Sequence, residues 1–326
     1  MTFNDIIGHE RPVRILQRAL ESDTLAHAYI FSGQDGIGKR RTAVALAVAV
    51  NCTETGPANG CGACPSCRKV ASGNHPDVHY LVPDGTDIKI DQIREAQATL
   101  SLRPFEGAKK VLIVDRAEAM NDAASNAILK TLEEPPGDAV IILVTSMPQG
   151  LLPTIRSRCQ EVRFLPLPRA VLARALQEQR GLSEEDAWFV AAVARGSFGS
   201  GQETDVAAAR SERDGFLSLW SGMAVAGVGE VLKPAEALGK DREEFAHLLD
   251  VGVERLRDLA VYAATGDERL LIYPQAGLAA AVREEGVSLR RVLADMDLLT
   301  RSRDLLDRRV SGQLIAENLL LKLGKG

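Results

Sequence analysis

The chain predicts an α/β domain, with a parallel sheet covered by helices on both faces, followed by a small helical domain and a larger all-helical one. Three observations carry that expectation. Short apolar runs at 28–31, 78–82, 111–114 and 140–144 alternate with helix-patterned segments, the arrangement of strands buried on both faces of a parallel sheet. Two prolines in Leu165-Pro-Leu-Pro168 then interrupt the chain, and no further strand pattern follows. At 326 residues the length suits two or three domains of about 150 residues each.

The helical patterns between the strands cover 12–20, 39–50, 91–100 and 121–132, and a last strand-like piece covers 161–164. Two short helices are expected at 169–179 and 183–194. Ser183 opens the second, with Asp186 three residues on as an acidic variant of the capping box. The Gly- and Ser-rich stretch 196–201 closes this small domain. The expected division is therefore 1–165, 166–205 and 206–326. In the last part Leu289, Val292, Leu293 and Met296 recur at helical spacing.

Composition excludes several classes of protein. Hydrophobic residues make up 45% and charged residues 25%, so neither wholesale disorder nor a fibrous architecture is expected. With 39 basic and 44 acidic residues the net charge is −5, without the basic balance of a protein that grips nucleic acid by itself. The sequence has no apolar stretch of membrane-spanning length, and Met1-Thr-Phe-Asn-Asp-Ile-Ile7 does not read as an export signal, so a cytoplasmic protein with no membrane contact is expected.

The segment Gly33-Gln-Asp-Gly36-Ile-Gly38-Lys39-Arg40 follows the first strand and opens the next helix, fitting the G-x-x-x-x-G-K of a P-loop. In such a loop backbone N–H groups close around phosphate, the lysine reaches the outer phosphates, and a Ser or Thr hydroxyl holds Mg²⁺. Position 40 is arginine, which carries only donors and cannot ligate the metal. Gly33, Gly36, Gly38, Lys39 and Asp115 thus make a cradle that could hold ATP or ADP without hydrolysing it.

Asp115 ends the apolar run 111–114, the placement used for Walker-B metal coordination, although it equally suits a residue capping the strand-to-helix turn. Arg116 stands where an ATPase needs a carboxylate to polarise water, and Glu118 lies nearby but out of register. Cys52, Cys61, Cys64 and Cys67 have the spacing C-x₈-C-x₂-C-x₂-C. Four thiolates with two short bites suit a tetrahedral structural Zn²⁺; an iron–sulfur cluster is the rival, and its customary fourth C-x₃-C-P cysteine is lacking. Cys159 reads as a small buried residue.

Together these segments resemble the delta-prime family of bacterial replicative clamp-loader subunits, within the polymerase III complex. The resemblance spans nearly the whole chain. Asp5-Ile-Ile-Gly-His9, His27-Ala-Tyr-Ile-Phe-Ser-Gly33, the four-cysteine insertion, Asn126-Ala-Ile-Leu-Lys-Thr-Leu-Glu-Glu-Pro-Pro136 and Ser157-Arg158-Cys159 carry it. It implies an AAA+ module of a P-loop domain and a helical lid, plus a C-terminal helical collar. It also implies assembly with gamma/tau and delta subunits into a five-membered ring segment that opens the sliding clamp and loads it on primed DNA. Arg40, Arg116 and Gly199, the last in the place of a lid arginine that senses the γ-phosphate, depart from the motor subunits. Arg158 is then expected to serve a neighbour's ATP as an arginine finger in trans. The alternatives are an ATP-hydrolysing motor subunit or other P-loop ATPase, and a zinc-dependent nucleic-acid binder. Against the binder, only Arg68 and Lys69 flank the cysteines, without interleaved aromatics.

Overall fold

A computed structural model of the chain describes residues 1–54, 58–211, 232–271, 288–308 and 310–323. They divide into two compact units, Met1–Glu203 and Thr204–Gly326.

The first unit is built on five parallel strands: β1 (Ala28–Ser32), β2 (Val78–Leu81), β3 (Lys110–Val114), β4 (Ala139–Thr145) and β5 (Gln160–Arg163), in the spatial order β2-β3-β4-β1-β5. Every residue of β1, β3 and β4 is buried, which is why they read as continuous apolar runs without alternation. The period of two survives in the packing. Tyr29, Phe31, Val111, Ile113, Val140 and Ile142 join one core, while Ala28, Ile30, Leu112, Val114, Ile141 and Leu143 join the other.

Helices α1 (Glu10–Glu21), α2 (Lys39–Val50) and α3 (Pro65–Ala71) line the first core through Leu16, Leu46 and Val70. Helices α4 (Ile90–Leu100), α5 (Asp122–Glu133) and α6 (Pro153–Arg156) line the second through Ile93, Ile128 and Ile155. Neither α3 nor α6 is expected from periodicity. Both are short and start at a proline in the first helical turn, where its missing N–H costs nothing.

Beyond β5 come α7 (Arg169–Arg180), α8 (Glu184–Val193) and α9 (Phe198–Glu203). Ser183 caps α8 as its sequence position suggests, accepting from Asp186 N at 3.1 Å. The stretch 196–201, expected to close the small domain, forms most of α9. Ser197 Oγ there accepts from Ser200 N at 3.2 Å, a local cap that outweighs the poor helix propensity of two glycines.

In the second unit the described residues include helices Leu232–Lys240, Arg242–Thr265, Leu289–Asp307 and Gly312–Leu323, around a core of Phe245, Leu249, Leu256, Val292, Leu299 and Leu319. Asp241 Oδ1 caps the longest helix by accepting from Glu243 N and Glu244 N at 3.0 and 2.9 Å. Of the helical stripe read from the sequence, Val292 is buried and Met296 packs on the core, but Leu289 and Leu293 are exposed. Val292, Leu299 and Leu306 face inward at steps of seven, so this helix buries a narrower seam than the four-residue pattern implied.

Candidate functional site

The P-loop leaves β1 at Ser32 and enters α2 at Lys39, so Gly33, Gly36, Gly38 and Lys39 sit beyond the carboxyl end of the strand, where open parallel sheets bind ligands. Gly36 has φ of +71°, and a Cβ there would collide with Ser197 Oγ. The lid lies that close because Ser197 Oγ donates to Asp35 O at 2.9 Å and Gly199 N donates to Gly36 O at 2.8 Å. Gly199 packs against Gly36 in turn, and a Cβ there would lie 3.0 Å from Gly36 Cα, a tight contact.

Lys39 is 5% exposed, and its Nζ donates to Gly33 O at 2.5 Å and Gln34 O at 2.7 Å, with Asp35 at 3.5 Å. Burial pulls its pKa below the usual lysine value, against the nearby carboxylates of Asp35, Glu118 and Asp115. With Asp115 and Arg116 it lines a cleft of about 390 Å³.

Asp115 immediately follows β3 and meets Arg40, whose Nη1 lies 3.4 Å from Asp115 Oδ2. Arg40 offers only donors and a fixed positive charge beside that carboxylate, so the donor set does not fit the metal of a working P-loop. Arg116 adopts φ of +52°, uncommon for a residue with a side chain.

Glu118, set aside in the sequence as out of register, lines the same cleft. Ser146 Oγ donates to its Oε1 at 2.8 Å. Burial raises the Glu118 pKa, but hydrogen bonds from Thr145, its own backbone and Ser146 prevail and hold it below the usual carboxylate value. Thr145 and Ser146, at and just past the end of β4, were not singled out in the sequence; the signal available was their position at the end of an apolar strand.

Next to the cleft is an apolar recess between Ile6, Ile7, Ile37, Leu167 and Phe198, with a volume of about 20 Å³. That is room for about one water. His9, whose Nε2 lies 2.6 Å from Ile37 O and whose ring meets Phe164 edge-on at 5.0 Å, helps close it.

The four cysteines converge. Their sulfurs all lie within 4.8 Å of one another, and Cys61 Sγ and Cys67 Sγ are 3.9 Å apart. A tetrahedral Zn²⁺ with Zn–S bonds of about 2.3 Å sets its sulfurs about 3.8 Å apart, so the cluster fits one ion. Backbone N–H groups also point at the sulfurs: Cys61 N to Cys52 Sγ at 3.3 Å, and Cys64 N to Cys61 Sγ at 3.2 Å. Beneath the cluster Ser66 Oγ donates to Asn51 O at 2.6 Å and lies 3.1 Å from His75 Nε2, tying α3 to the end of α2. Cys159 is half-buried and packs against the second core, apart from this group.

Arg158 is elsewhere. It stands two residues before β5, whose Gln160 pairs in register with Tyr29, whereas the P-loop begins at Gly33. Four residues of strand separate those levels by about 13 Å, so Arg158 lies at the end of the sheet where the strands begin and the cleft where they end.

Comparison with known proteins adds kinship to this geometry. The family described as "DNA polymerase III, delta subunit" matches residues 8–168. The delta-prime subunit of DNA polymerase III from Bacillus subtilis (strain 168) is 43% identical over 169 residues, 52% of this chain and 51% of that protein. The gamma/tau subunit of Mycobacterium bovis is 36% identical over 208 residues, 62% of this chain and 36% of that protein. The chain thus spans about half the length, or less, of these relatives. A crystal structure of a gamma-subunit-related protein from Thermotoga maritima aligns over 96% of this chain and 99% of its own, at 20% identity and a TM-score of 0.40.

Proposed function

Because residues 8–168 make this chain a member of the DNA polymerase III delta-prime family, we propose that it is a non-hydrolysing structural subunit of a replicative clamp loader. The observation that carries the non-hydrolysing part is Arg40 beside Asp115, a side chain unable to ligate metal that sets a fixed positive charge 3.4 Å from the carboxylate at the Walker-B position. Arg116 removes the expected base, and Gly199 stands where the resemblance places a sensor arginine.

In this reading the chain joins gamma/tau and delta subunits in the cytoplasm, and the assembled complex acts on the sliding clamp and primer-template DNA. Among the described residues no helix is long and apolar enough to cross a membrane. The division at 165 and 205 corresponds to P-loop domain, lid and collar. Cys52, Cys61, Cys64 and Cys67 hold a structural Zn²⁺ that staples the insertion, with no position open for catalysis. Arg158 supplies its charge to ATP on the adjacent subunit, which is supported by its standing at the opposite end of the sheet from the chain's own P-loop.

One observation favours the competing reading of an ATP-hydrolysing subunit: Glu118 is an anionic carboxylate in the cleft. Only its Oε1 is engaged by Ser146, while its Oε2 has no partner among the described residues, so the case against hydrolysis rests on Arg40 and Arg116 rather than on Glu118. The decisive experiment is reconstitution. The purified chain, mixed with gamma/tau and delta subunits, should enter a complex of defined mass that loads clamps, while the chain alone turns over no ATP. Failure to enter that complex would overturn the assignment.

A further inference from the structure

The cleft around Lys39 departs from a P-loop site at the metal. Oligophosphate bound in such loops is neutralised partly by the lysine and helix N-terminus and partly by Mg²⁺. Here α2 runs twelve residues from a left-handed Gly38, so the helix N-terminus is intact, and Lys39 lines the cleft with its Nζ held by Gly33 O and Gln34 O, bonds that phosphate oxygens would replace. At the metal position stands Arg40, 58% exposed, held to Asp115 by a single long contact of 3.4 Å. A guanidinium has five donors in a planar fork, and this contact leaves most of them free to face phosphate oxygens. Arg41 adds a further donor on the cleft wall: its Nε is buried and has no partner among the described residues. The neighbouring apolar recess, at about 20 Å³, is too small for a purine.

We propose that this cleft binds oligophosphate without a divalent cation, the Arg40 guanidinium standing in for Mg²⁺. The recognised chemistry is a chain of two or three phosphates, as a nucleotide tail or free. A divalent ion opposes this binding in two ways. It lowers the charge of the ligand, and it meets a fixed positive charge where a metal site would offer oxygen. The inference extends the non-hydrolysing reading but is tested apart from it. A chain that binds oligophosphate in EDTA yet never enters a clamp loader would sink the assembly reading alone, and the converse result would sink this one alone.

The test is calorimetric titration of the whole chain with ADP, ATP and tripolyphosphate, in EDTA and in excess Mg²⁺. Binding in EDTA should be at least as tight as in Mg²⁺. Tripolyphosphate equal to ATP assigns recognition to the phosphates alone, whereas binding of nucleotides only assigns it to the nucleotide tail; both support metal independence. Arg40→Thr, at an exposed position that leaves the fold intact, should weaken binding in EDTA by about tenfold or more and make it recover with Mg²⁺. No binding of any of the three, binding that requires Mg²⁺ in the unmodified chain, or Arg40→Thr binding in EDTA as tightly as the unmodified chain would each overturn the proposal.

Discussion

Arg158 Nη2 lies 2.8 Å from Glu133 Oε1, joining the residue just past α6 to the last residue of α5, and its Nη1 donates to Thr154 O at 3.0 Å. The guanidinium is held but not consumed. With the two side chains 36% and 50% exposed, such a pair contributes about 0–1 kcal/mol. Glu133 therefore orients Arg158 through a contact that is cheap to release.

Arg158→Ala is accordingly expected to change stability by less than about 1 kcal/mol in urea unfolding. In a reconstituted complex it should leave assembly intact and lower clamp- and DNA-stimulated ATP hydrolysis in part, since other sites keep their own fingers. Arg156, which donates to Gln149 Oε1 at 2.8 Å, provides the comparison, and Arg156→Ala should have the smaller effect. Unchanged hydrolysis with Arg158→Ala would remove the finger assignment.

Metal analysis of the purified chain should give one Zn²⁺ per molecule. Iron with visible absorbance, or a reduced protein that binds no metal, would contradict this. Cys64→Ser should release the ion and raise hydrogen exchange around 52–64. The sheet should stay folded, because α3 keeps its link to Asn51 and His75 through Ser66.

ATP turnover by the isolated chain should stay well below about 1 s⁻¹, the low end of the range typical of kinases. The double change Arg40→Thr with Arg116→Glu should not restore motor-like hydrolysis, because position 199 still carries a glycine with no cationic side chain. Steady-state assay of both proteins decides it.

Asp77 is fully buried and accepts from Phe105 N, Glu106 N, Gly107 N and Lys110 Nζ at 2.7–3.0 Å. Burial alone would raise its pKa, but these four donors hold it far below the usual carboxylate range. A depressed folded pKa means that its stabilisation is complete above the unfolded value, near 4, and is lost as the pH falls further. Asp77→Ala would leave Lys110, itself 4% exposed, without its carboxylate partner. The expected cost is about 3–5 kcal/mol in denaturant titration at neutral pH, shrinking below about pH 4.

Local chemistry made much of this legible from the residues alone. The strands announced themselves because β1, β3 and β4 are buried on both faces and so must be apolar throughout. The P-loop and the cysteine quartet were legible because their ligand-facing groups are close in sequence, and such spacing dictates geometry. Relations between residues far apart in the chain were not. Arg40 and Asp115 meet across 75 positions, and Ser197 reaches Asp35 across 162, only because β3 is set two strands from β1 and the lid folds back over the loop. The same register brought Glu118 into the cleft, left about 20 Å³ in the apolar recess and put Arg158 at the far end of the sheet. Pattern and propensity act over a few residues, whereas those distances follow from strand order and close packing, which no local window contains.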